Sequence, residues 1–167
     1  MDLNAATNPA TNASMFRCAS CNDHYESEDA GPGLCPLCTP STPAEQARDH
    51  MLRLLIAEQN DAFRRALGFA ALWRGQHLKG RTVATPGFLA IPERTQAALM
   101  NAVITFTDWT EDSDPYEDHS FGRVEAHGVA IFWKIDLYDT GYHFGAENPS
   151  DPEGTRRVLT LYLPSEH

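Results

Sequence analysis

The stretch from Phe121 to Asp139, FGRVEAHGVAIFWKIDLYD, alternates more strictly than any other part of the chain and does most to limit its fold. Successive side chains on a strand point to opposite faces. Val129, Ile131, Trp133, Ile135 and Leu137 therefore share one face, and Ala130, Phe132, Lys134, Asp136 and Tyr138 the other. His127-Gly128 can serve as a two-residue hairpin turn, although Asn or Asp before the glycine would be a stronger signal. If the chain turns there, Ala126 faces Val129 and the pairing extends by counting. Val124 meets Ile131, Arg123 meets Phe132, Phe121 meets Lys134, and His119 falls opposite Asp136. A further strand is expected over Arg156 to Leu163, with Leu159, Leu161 and Leu163 toward the core.

Ahead of this sheet the periodicity is helical. Thr42 can cap a helix with Pro43 at its first position and Glu45 completing a capping box. Leu52, Leu55, Ile56, Phe63, Ala66 and Leu67 then recur at helical spacing to about Leu67, and Arg48, Arg53, Glu58, Asp61 and Arg64 mark the polar face. Gly80 to Thr85 reads as a short strand stopped by Pro86-Gly87 in turn positions, and a second helix runs from near Pro92 to about Phe106. An acidic loop, Asp108 to His119, joins it to the hairpin. The expected architecture is α+β, with two helices packed on a small antiparallel sheet. It occupies residues 42–167, after a disordered tail (1–14) and a zinc knuckle or ribbon (15–41).

That knuckle rests on the four cysteines, Cys18, Cys21, Cys35 and Cys38, which form two C-x-x-C pairs thirteen residues apart. Each pair can present two thiolates from one tight turn, and two such turns close a tetrahedral shell around Zn²⁺. The loop between them is long enough for a short hairpin turning at Gly31-Pro32-Gly33. Two disulfides are the competing reading, but nothing in the sequence points to an oxidising compartment. A redox role for Cys35-Pro36-Leu37-Cys38 is disfavoured by the second pair, and His24 can stand in for one thiolate. A closed four-thiolate site is structural, one zinc per chain, with no open position for catalysis.

Charge narrows the function classes. The 167 residues carry a formal charge of −10. From Asp108 onward there are thirteen acidic residues against four basic, and between Pro43 and Arg81 seven basic against four acidic. The acidic half repels phosphate backbones, so direct nucleic-acid binding is expected less than binding to a basic protein. No apolar run approaches the roughly 20 residues that span a bilayer. The first residues also lack the basic and apolar regions of a signal peptide, and a cytoplasmic location is expected.

One constellation can carry chemistry. DPYEDHSFG, residues 114–122, sets Asp114, Glu117, Asp118 and His119 beside the hairpin. In the counted register His119, Asp136, Lys134 and Tyr138 can share a sheet face, with Asp114 and Glu117 arriving from the loop. A carboxylate beside a histidine fixes its tautomer and favours its charged form, as a general base requires. One histidine among several carboxylates can also hold a divalent metal for hydrolysis. No catalytic residue is assigned on this basis, because cross-strand polar pairs of this kind are also common on surface sheets.

From about Leu52 onward the chain resembles a bacterial family of unknown function, DUF3768. The resemblance rests on Asp114-Pro115-Tyr116, His119, Phe121-Gly122, the run Ile131-Phe132-Trp133-Lys134-Ile135-Asp136 with Tyr138-Asp139, Asp151-Pro152, and Arg157-Val158-Leu159-Thr160. It implies a helix, a short strand, a helix and a terminal sheet, association with alphaproteobacterial chromosomes and plasmids, and no particular activity. Where the family pattern runs closer to D-P-Y-G-E-H-D-F-G, this chain has Glu117 and Asp118 in place of Gly and Glu, and Ser120 in place of Asp. The cysteine pairs lie outside the resembling region.

Charge and resemblance together favour a non-enzymatic acidic protein-binding module, with a mobile-element modulator of host defence, of the anti-restriction or anti-CRISPR type, as the specific version. Its partner would be a basic nucleic-acid-binding protein or complex. The alternative is a small metal-dependent or histidine-based hydrolase using the His119/Asp136 face. A second alternative is a DNA-binding plasmid-maintenance or transcription factor using Arg48, Arg53, Arg64, Arg65, Arg74, Lys79 and Arg81.

Overall fold

A computed structural model describes residues 14–17, 24–27 and 42–166. The expected tail apart from Ser14, the four cysteines and the Gly31-Pro32-Gly33 turn lie outside the described residues. The chain divides into two compact units, Met1–Gln46 and Ala47–His167. In the first, β1 (Ser14–Arg17) pairs antiparallel with β2 (His24–Ser27), Ser14 facing Ser27 and Arg17 facing His24.

Helix α1 spans Pro43–Arg65. Its start is the expected capping box. Thr42 N–H (2.7 Å) and Thr42 Oγ1 (2.8 Å) both donate to Glu45 Oε2 and hold its carboxyl below the ordinary range, while Glu45 N–H donates to Thr42 Oγ1 (3.2 Å). Further along, the burial differs from the hydropathy reading. Ala57, Gln59, Asn60, Phe63 and Arg64 are buried, whereas Leu52, Leu55 and Ile56 are only half-buried. Arg64, read as part of the polar face, is fully enclosed.

After α1 comes a small hairpin absent from the sequence reading, β3 (Leu72–Trp73) with β4 (Gln76–His77). It turns on Arg74-Gly75, both at positive φ, as a tight hairpin turn demands. Strand β5 (Gly80–Ala84) follows, and Pro86 then opens a one-turn helix, α2 (Pro86–Leu89), where a turn was expected. Thr85 caps it by accepting from Phe88 N–H, and Glu166 from the terminal 3₁₀ turn Pro164–Glu166 accepts from Gly87 N–H (3.0 Å) and Thr85 Oγ1 (2.7 Å). Helix α3 is Glu93–Ile104, its first turn following Pro92.

The hairpin β6 (Phe121–Ala126) and β7 (Val129–Tyr138) has the counted register from Ala126↔Val129 to Phe121↔Lys134, with His127 and Gly128 both at positive φ in the turn. Strand β8 (Arg156–Tyr162) completes a four-stranded sheet of order β5-β8-β7-β6. The class is α+β, but the sheet is mixed and not antiparallel throughout. β5 lies parallel to β8 because the chain leaves β5 through two helices and returns by way of the hairpin. Phe63, Leu99, Val103, Ile131, Trp133 and Leu159 are fully buried on the core face, each contributing about 1.5–3 kcal/mol through removal from water. Gly122, paired with Trp133, has no side chain for a reason: a Cβ there would lie 2.7 Å from the indole. Among the described residues no helix is long and apolar enough to cross a membrane.

Candidate functional site

The loop between α3 and β6 is held from below by Arg64. Its Nη1 donates to the carbonyls of Val103 and Ile104, and its Nη2 to Phe106 O (3.0 Å) and to Asp61 Oδ1 (2.8 Å). A guanidinium at the C-terminal end of α3 satisfies carbonyls that the helix leaves bare and suits the negative end of its dipole. Burial pulls the Arg64 pKa below its ordinary value, and the bond to Asp61 works against that. Its guanidinium carbon lies 5.5 Å from the ring centre of Trp109 and 5.3 Å from that of Trp133. Trp109, Phe106 and Trp133 meet edge to face at centroid distances of 4.8 to 5.9 Å.

Above this base the loop winds around Asp114. Thr110 and Ser113 bond each other's backbone N–H through their hydroxyls, and Asp114 N–H donates to Thr110 O (2.8 Å). Asp114 Oδ1 then accepts from the N–H groups of Asp118 (3.2 Å) and His119 (3.1 Å). Asn60, from α1, donates to Asp118 O (2.8 Å). Burial raises the Asp114 carboxyl above its ordinary pKa, opposed by the His119 hydrogen bond and charge.

Two residues of this loop, Glu117 and His119, adopt left-handed backbone conformations, each with φ of 53°. Glycine adopts this conformation without steric cost, so Glu117 holds it under strain. At His119 the consequence is larger. Strand alternation would have sent His119 to the Phe121 face, opposite Asp136. Instead β6 begins at Phe121, the ladder continues only through Ser120 O accepting from Ile135 N–H (2.7 Å), and the imidazole turns toward α1. It stacks on Trp109 at 3.9 Å with an interplanar angle of 6°. Nδ1 lies 3.4 Å from Asp61 Oδ1, buried but not aligned for a hydrogen bond, and Nε2 lies 3.8 Å from Asp114 Oδ2.

His119 and Asp114 are thus brought together, with Asp61 as an unforeseen third member. Asp136 and Lys134 are not part of this group. They pair with each other at 3.0 Å on the opposite face of β7, and that bond raises the Lys134 pKa. Tyr138 shares their face at the end of the strand, opposite Arg156. Glu117 pairs with His50 at 3.1 Å. Among the described residues, no three His, Cys, Asp or Glu side chains converge as metal ligands would. Of the arginines considered for DNA, Arg64 is enclosed, Arg65 is bound by Asp61, and Arg74 by Glu58.

A cleft of about 680 Å³ opens over this arrangement. Leu54, Ala57, Glu58 and Asp61 of α1 form one wall, and the loop from Trp109 to His119 forms the other. The α1 residues recur at positions i, i+3, i+4 and i+7, a stripe that the sequence could have revealed. The hydropathy reading assigned Glu58 and Asp61 to the outer face because they are charged.

No curated protein and no solved structure matches the chain. The family match starts later than the resemblance read from the sequence and leaves α1, with Asp61, outside it. Residues 84–166, from the end of β5 to the terminal turn and including Asp114 and His119, match the model of the family described as a protein of unknown function (DUF3768).

Proposed function

We propose that this chain is a non-enzymatic, acidic protein-binding module whose cleft between α1 and the 109–119 loop receives a basic surface of its partner. The observation that carries this reading is the composition of the cleft. Five carboxylates, Glu58, Asp61, Glu111, Asp114 and Glu117, line it together with apolar Leu54, Ala57 and Pro115. A concave site with one sign of charge and low-dielectric walls focuses its field on a partner of the opposite sign. The net charge of −10 adds long-range attraction. A nucleic-acid-binding protein presents such a basic surface, which suits the anti-restriction or anti-CRISPR type of modulator. The test is affinity capture from a bacterial lysate with the tagged chain and a variant carrying Glu58→Lys, Glu111→Lys and Glu117→Lys. A basic protein held by the first and lost by the second is expected, and equal capture by both overturns the reading.

In the same reading Cys18, Cys21, Cys35 and Cys38 hold one structural zinc. Support comes from the donor set, four thiolates in two C-x-x-C pairs, and from the position of the first pair in the segment joining β1 to β2. Metal analysis of the purified chain should find about one zinc per molecule, as four thiolates bind one ion; none would remove the knuckle.

A second reading, a small histidine-based hydrolase, is favoured by one observation: His119 sits in a concave site with a carboxylate near each ring nitrogen. There His119 would act as a general base, with Asp114 in place of Asp136. Turnover of any substrate in a panel of chromogenic esters, amides and phosphoesters, abolished by His119→Ala, supports it. Absence of turnover across the panel counts against it.

A further inference from the structure

Among the described residues, two of the cleft carboxylates have neither a lysine or arginine partner nor a hydrogen-bonded histidine. Glu58 is bound by Arg74, Asp61 by Arg64 and Arg65, and Glu117 by His50. Glu111 has no hydrogen bond or ion pair among the described residues. Asp114 is the more informative of the pair. Its side chain is only 7 % exposed, and Oδ1 is occupied by two backbone N–H groups. Oδ2 receives no hydrogen bond; His119 Nε2, at 3.8 Å, is beyond hydrogen-bond reach. The side chain is thus fixed by its Oδ1 bonds and lines the cleft, leaving Oδ2 free to accept from a donor that enters it. The upward shift of the Asp114 carboxyl fits the same picture, since a cation arriving at Oδ2 would relieve it.

We infer that the cleft is a receptor for one arginine side chain of the basic partner, with Asp114 Oδ2 and Glu111 accepting from its guanidinium. The inference rests on the binding-module reading above and names the group that the module grips. Two features select guanidinium over ammonium. Leu54, Ala57 and Pro115 offer apolar wall to a flat, weakly hydrated group and its aliphatic stem, whereas an ammonium is compact and strongly hydrated. Two acceptors three residues apart on one loop also suit a forked donor better than a point charge.

The test uses the full chain and three labelled peptides that differ only in carrying arginine, lysine or citrulline at one position, titrated by fluorescence anisotropy. The arginine peptide is expected to bind about tenfold tighter than the lysine peptide, with citrulline weakest. Glu111→Gln and Asp114→Asn should each weaken the arginine peptide by about tenfold, and Glu147→Gln, exposed and away from the cleft, should leave it unchanged. Glu111 is exposed, so its variant keeps the test valid even if Asp114→Asn disturbs the loop. Equal binding of arginine and lysine overturns the inference, and so does a loss in Glu147→Gln as large as that in Glu111→Gln. In either case the binding-module reading survives. Capture of a basic protein with no peptide bound also overturns the inference alone. No capture and no peptide binding sinks both.

Discussion

Charged groups lie beside both faces of β7 but are put to different uses. On one face Lys134 and Asp136 pair at 3.0 Å, both partly exposed, beside half-buried aromatic rings. On the other, Trp133 packs against Trp109 and Arg64, and His119 and Asp114 line a cleft with Trp109. An exposed pair screened by water contributes little. Charges enclosed against aromatic rings are strongly coupled to the fold and available to a ligand. Burial, and not the presence of a histidine and an aspartate, separates a surface pair from a candidate site.

Substitutions sharpen this contrast in order of effect. Arg64→Ala removes the guanidinium that holds the end of α3 and leaves Asp61 with one fewer cation. A loss of about 3–5 kcal/mol in urea unfolding is expected, and a loss under about 1 kcal/mol would mean that Arg64 is not the support described. Gly122→Ala drives a methyl into the Trp133 indole, at about 1–3 kcal/mol, and should broaden the Trp133 signals if the ring is displaced. Glu117→Gly relieves a left-handed backbone and should stabilise the chain by about 1 kcal/mol, less whatever its exposed pair with His50 contributes. Lys134→Ala, on the other face, should change stability by less than about 1 kcal/mol.

The pH axis separates the two faces as well. The Asp114 carboxyl is raised in the folded state, so the native chain holds its proton more tightly than the unfolded one. Its contribution to stability therefore falls as pH rises above the unfolded value of 3.8, and is constant once the folded group has ionised. Lys134 is also raised, so its contribution is complete below the unfolded value of 10.5 and is lost as pH rises through its folded value. Asp114→Asn removes a contribution that falls with rising pH, so stability should climb more steeply on the acid limb, where the lowered Glu45, Asp139 and Glu166 carboxyls drive the rise, and the alkaline limb should be unchanged. Lys134→Ala should flatten the alkaline limb and leave the acid limb alone.

Much of this was legible from residues 121–139, where alternation and a His-Gly turn determine every pair of the hairpin. The position of His119 was not, because one left-handed residue just before the strand sends its ring to the other face, and alternation cannot anticipate that. Arg64 reads as surface because hydropathy assigns charge to solvent, and nothing in the sequence singles out Gln59 and Asn60 as buried. Their buried partners are backbone carbonyls and Arg157, all distant in sequence. Arg157 itself, with its pKa pulled down to about 10 by burial, was hidden for the same reason. The parallel placement of β5 could not be read either, since a lone short strand carries no mark of its neighbour.

The central claim is that the partner's cation enters the α1–loop cleft and not the Lys134–Asp136 face. Titrating the isotope-labelled chain with the arginine peptide and following its NMR spectrum tests this directly. The Trp109 indole and the His119 ring should shift together and saturate, while the amides of Phe121, Lys134 and Thr160 stay still. Saturating shifts at Lys134 and Thr160 with Trp109 and His119 unmoved would contradict it.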